Sequence, residues 1–188
     1  MSKTDLDTTD YPMKLLKAGM DVSGSTTTTS IRVWLTNVNV SAIPYVPAFY
    51  ACMIWASEHT SLAFKSEVIS TLIGSECRYI VTGGLECEQW HDLSDEIYLA
   101  TDPDFAPPKE TMVMTSWHED EPMEDVIEFL LHSTDFHDHG FTDYLILHVG
   151  QNSQVEEKLV SQLRCSLDCG EPRTRQCNNS LHQTRHDL

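Results

Sequence analysis

The first informative shortage in this chain is positive charge. Twelve Lys and Arg stand against 29 Asp and Glu in 188 residues, a formal net charge of −17. A field of that sign repels phosphate backbones, so nucleic-acid binding is not expected. The chain also lacks any run of eighteen apolar residues, the minimum for a membrane-spanning helix. Residues 1–10 carry no apolar stretch of the kind a secretory leader needs. These two absences predict a cytoplasmic protein with no membrane association. Six cysteines are present, but no two form a C-x-x-C pair. A disulfide framework is not expected, and Cys52 and Cys77, lying in apolar runs, read as small buried hydrophobes. G-x-G-x-x-G is missing, and neither Lys-Ser nor Lys-Thr follows the Gly83-Gly84 pair. Glu86 and Glu88 stand where phosphate oxygens would have to sit, so that pair is a tight turn and not a nucleotide loop. H-E-x-x-H and H-x-H-x-D-H are absent as well.

What the sequence does contain is a repeated alternation of short apolar runs and helical periods. Ile31-Arg32-Val33-Trp34-Leu35-Thr36 alternates apolar and polar, as a half-exposed strand does. Phe49-Tyr50-Ala51-Cys52-Met53-Ile54-Trp55-Ala56 is a continuous apolar run short enough for a buried central strand. Phe64, Val68 and Leu72, with Ile69 and Ile73 beside them, form the stripe of a helix whose Lys65, Ser66 and Glu67 face outward; Gly74 ends it. Further strands follow at 79–82, 111–115 and 144–149. A weaker helix spans 85–99, and the clearest helix carries Met123, Val126, Ile127, Leu130 and Leu131 behind Pro122. Ser153-x-x-Glu156 opens a last helix.

This pattern predicts an α/β fold: a three-layer sandwich with a mainly parallel five-stranded sheet, Rossmann- or flavodoxin-like. The domain spans 31–164, between a flexible N-terminal segment, 1–30, and a disordered C-terminal tail, 165–188. The first of the five strands is the candidate for an antiparallel edge.

The acidic residues are not evenly spread. Seventeen of them fall between Glu86 and Asp143, against one basic residue, Lys109. In a parallel sheet the residues just beyond the strand C-termini converge on one rim. Here that rim collects Glu86, Glu88, His91, Asp92, His118, Glu119 and His148. Two uses follow. As a binding surface, Trp90 and Trp117, each beside a His and an acid, would anchor a basic protein or peptide with help from Glu86, Glu88 and Asp92. As a catalytic site, His91, His118, Glu119 and His148 would hold a divalent metal that activates water for hydrolysis. A third possibility is Cys87, at a helix start, as a nucleophile with His91 one turn on as its base. The bland alternative is that these acids and histidines only cap helices and solvate loops. The expected function is a non-catalytic binding or regulatory protein, with the metal-dependent hydrolase second. An enzyme needs His91, His118 and a carboxylate in one pocket, whereas a binding module needs its Trp and acids on an open surface.

The strings Glu86-Cys87-Glu88-Gln89-Trp90-His91-Asp92, Thr115-Ser116-Trp117-His118-Glu119, Asp135-Phe136-His137-Asp138-His139 and Tyr144-Leu145-Ile146-Leu147-His148-Val149-Gly150 resemble those of a family of small bacterial α/β proteins of unknown function. The resemblance covers about 31–150. It implies a compact cytoplasmic domain and assigns no activity to any residue.

Overall fold

A computed structural model describes residues 14–18, 31–37, 46, 49–137 and 139–169. Its centre is built from the two most apolar runs. β3 (Tyr50–Ala56) and β8 (Asp143–Val149) pair side by side in parallel, and β8 is buried along its whole length. A strand covered on both faces needs apolar residues at nearly every position, so neither run alternates. β2 (Ile31–Asn37) pairs in parallel with the outer side of β8. On the other side β4 (Cys77–Gly84) joins β3, and β5 (Met114–His118) joins β4, both in parallel. The five strands expected from the sequence are all present, within a sheet of six, and the mainly parallel α/β class holds.

Three placements differ from the sequence reading. β1 (Lys14–Ala18), expected within the flexible segment 1–30, pairs antiparallel with β2 and gives the order β1-β2-β8-β3-β4-β5. The antiparallel edge is thus β1 and not the strand at 31. The fourth of the expected strands starts three residues later than 111, because Lys109–Thr111 closes a 3-10 turn after Pro107-Pro108. Trp117 and His118 consequently lie on β5 and not beyond it. At the other end, α4 (Ser153–Cys169) continues past 164.

The helices divide by face. α1 (Leu62–Gly74) and α2 (Cys87–Leu99) pack with each other on one side, over Cys52, Ile54, Ile80, Leu145 and Leu147. α3 (Met123–His132) and α4 pack together on the other, over Met53, Val81, Tyr144 and Ile146. The apolar stripe of α3 is buried as its period predicts. α1 begins at Ser61, whose Oγ accepts the Phe64 N–H. Its left-handed residue after the helix is Glu76, not Gly74. A two-strand hairpin, β6 (Asp135–Phe136) with β7 (His139–Gly140), precedes β8. No helix among the described residues is long and apolar enough to cross a membrane.

Candidate functional site

Alternation along β5 decides how the rim is assembled. Successive strand residues point to opposite faces. Thr115 and Trp117 therefore face α2, while Ser116 and His118 face α3. On the α2 side the His91 ring packs against the Trp117 indole, with centroids 4.5 Å apart. His91 lies between two carboxylates: Nδ1 is 3.0 Å from Asp92 Oδ1 and Nε2 is 3.7 Å from Asp95 Oδ2. The Thr115 hydroxyl donates to Asp95 Oδ1 at 2.7 Å, tying the helix to the strand. Trp117 stays 47 % exposed. On the α3 side the His118 Nδ1 is 2.9 Å from Glu121 Oε2, and its ring packs on Phe129. Glu119, directly after β5, is exposed.

His148 lies elsewhere. It is fully buried near the C-terminal end of β8, where Nε2 is 2.8 Å from Ser57 Oγ and Nδ1 has no hydrogen-bond partner among the described residues. Burial holds its pKa below the ordinary histidine value, against the opposing charges of Glu156 and Glu58. β3 and β4 stand between β8 and β5, so His148 and His118 are separated by about 14 Å of sheet. His91 is on the opposite face from both. The three histidines expected to share an ion are therefore not brought together. Among the described residues, no group of three or more His, Cys, Asp or Glu is placed to hold a metal.

The tryptophan pair also separates. Trp90 is buried under α2 in the apolar core, with Trp117 outside. Trp90 is one helical turn before Ser94, and both face inward. That removes Trp90 from the binding surface. Glu88 and Asp92, on the opposite side of α2, remain exposed. Glu86 takes a left-handed conformation at the start of α2, φ 56°. Its carboxylate accepts from Lys65 Nζ at 2.6 Å and lies 3.0 Å from His59 Nδ1. The Lys65 bond, then the His59 bond, hold the Glu86 carboxyl below the usual range.

Cys87 does occupy the first turn of α2, but its side chain is buried and burial pushes the thiol pKa up. A thiol in that state is a poor nucleophile, and His91 makes its own contacts with Trp117 and Asp92.

Two residues escaped the sequence reading. Lys65, expected to face solvent, is fully buried, with its ammonium between Glu86, Gln89 and the Trp90 ring. Ser57 follows β3 and closes on β8 through Val149 and His148. Neither belongs to a local motif; only the β3–β8 and α1–α2 neighbourhoods reveal them.

The model of a family described as "Domain of unknown function (DUF7684)" matches residues 34–164, well over half of the chain. No curated protein matches the sequence.

Proposed function

We propose, for a chain that belongs to the DUF7684 family of unknown function, that it is a non-catalytic binding module for a basic, extended peptide segment. The observation that carries this reading is the outer side of β5. Among the described residues β5 pairs only with β4, so one row of its backbone N–H and C=O groups faces outward. An open edge is a template for an added strand. Trp117, packed against His91 with the rings tilted by 56°, gives it an aromatic anchor of the kind that dominates binding energies. Leu99, Phe105 and Met114 are exposed on α2, the following connection and β5 itself. Asp92, Glu96, Glu110, Glu119 and Asp120, on α2 and on the segments flanking β5, are exposed. A peptide rich in Lys or Arg would match this charge, and an acidic one would be repelled.

Cys52, Cys77 and Cys87 are buried thiols, which fits a reducing cytoplasmic setting. The alternative, a hydrolase using a divalent metal on His91, His118, Glu119 or His148, has weaker support because those side chains lie on different faces and strands.

Titrating the full chain with a Lys/Arg-rich peptide of about ten residues, while following tryptophan emission, tests the reading. Saturable binding is expected, with Trp117→Ala weakening it by roughly tenfold or more. Equal binding of a neutral peptide of the same length, or no effect of the substitution, would sink it.

A further inference from the structure

The opposite end of the sheet holds an anomaly that the β5 surface does not explain. Arg78 is 6 % exposed. It enters β4 at a register break: Tyr50 pairs with Cys77 and Ala51 with Tyr79, so Arg78 is the extra residue of a bulge. A bulge re-aims a side chain out of the regular alternation, and bulges gather beside functional sites. Here the guanidinium carbon lies 4.8 Å from the Phe49 ring centre and 6.0 Å from that of Phe136. The two rings are themselves in contact, with centroids 5.6 Å apart.

Of the five N–H donors on a guanidinium, one makes a bond among the described residues, from Nη1 to the Cys77 carbonyl at 3.2 Å. Nε is buried and has no hydrogen-bond partner among the described residues. No carboxylate among the described residues forms an ion pair with Arg78. This is unusual in two respects. Arginine cannot shed its proton to escape burial, and a buried charge is ordinarily paired. Moreover, this chain has more than twice as many acids as bases, yet none of the described ones is set against this cation.

We propose that Arg78 is an anion-binding residue whose partner is a small-molecule carboxylate carried on a flat apolar body. The guanidinium fork matches a carboxylate in plane and takes it through two parallel N–H bonds. Phe49, 47 % exposed, and Phe136 supply an apolar wall for the body of the ligand. A doubly charged phosphate is disfavoured, because the net charge of −17 opposes each unit of negative charge that approaches. The site lies at the strand N-termini and is independent of the β5 surface.

Calorimetric titration of the full chain with benzoate, acetate, benzamide and inorganic phosphate tests this. Benzoate is expected to bind once per chain. Acetate, lacking the apolar body, and benzamide, lacking the charge, should each bind at least about tenfold more weakly. Arg78→Lys keeps the charge but loses the fork, and should lower benzoate affinity by roughly 10-fold to 100-fold. Phe49→Ala, at a half-exposed position outside the main core, should lower it several-fold and serves as the second variant if Arg78 variants fail to fold. Absence of benzoate binding, benzamide binding as well as benzoate, phosphate binding more tightly than benzoate, or unchanged affinity in Phe49→Ala would each overturn it.

Discussion

At the residue scale, the buried charges are the most informative. Lys65 has no exposed surface and Glu86 is its anion. Removing one partner of such a pair costs more than removing the pair, because the other charge is then stranded in the interior. Glu86→Gln should therefore destabilise the fold by up to about 3 kcal/mol, with Gln89 and the Trp90 ring softening the loss. Lys65→Met, which removes the buried ammonium and keeps most of its volume, should cost less. Urea unfolding of both variants checks that order. His148 gives a pH prediction with a definite sign. Its pKa is lowered in the folded chain, so as pH falls below about 6.5 the unfolded chain takes up a proton first. The stability this histidine contributes is complete above that pH and is lost as pH drops toward the folded value, by at most about 1.4 kcal/mol per pH unit. Denaturation midpoints of the native chain and of His148→Asn between pH 7.5 and 5 isolate it: the native chain should lose more. Neither Lys65 nor His148 was legible as buried in the sequence. A lysine next to a helical stripe reads as solvent-facing unless its carboxylate is known, and Glu86 is 21 positions away.

At the scale of elements, the glycines after strands and helices separate packing from propensity. Gly84 ends β4 with φ +78°, and a Cβ there would lie 2.2 Å from the Ala56 carbonyl oxygen, a backbone atom fixed by the sheet. That oxygen also accepts the Leu85 N–H at 2.8 Å. Gly84→Ala should cost about 2 kcal/mol or more, from strain and steric overlap together. Gly74, at the end of α1, has no positive φ, and a Cβ added there would meet nothing within 4 Å. Gly74→Ala should instead raise stability by about 0.5–1 kcal/mol. Thermal melts of the two variants should move in opposite directions. The elements themselves were largely readable, for a physical reason. Strands buried on both faces must be apolar almost throughout, and α3 must carry its apolar residues every three to four positions, so both leave local signals. β1 left none: Lys14-Leu15-Leu16-Lys17-Ala18 is short, punctuated by lysines and uninformative until β2 is present to pair with it. The late start of β5 was hidden because Met112 and Val113 are as apolar as the strand they precede.

For the whole molecule, the strand order decided which candidate residues could act together, and no local signal carries it. The chain passes outward through β3, β4 and β5 and then returns to place β8 on the other side of β3. That return puts His148 three strands from His118 and dissolves the shared metal site, while leaving the His91–Trp117 pair at the sheet margin. The acid count, in contrast, was legible from the start, and it makes a prediction with two opposite signs. Raising salt from about 0.01 to about 0.15 M shortens the screening length from about 30 to about 8 Å. Screening relieves self-repulsion among 29 acids, so the thermal midpoint of the free chain should rise. The same screening weakens attraction between the β5 surface and a basic peptide, so affinity should fall, by roughly tenfold over that range. Melts and fluorescence titrations across one salt series measure both. A rising midpoint with unchanged peptide affinity would mean that the acids tune solubility and stability only, and that the peptide is held by Trp117 and the strand edge without help from charge.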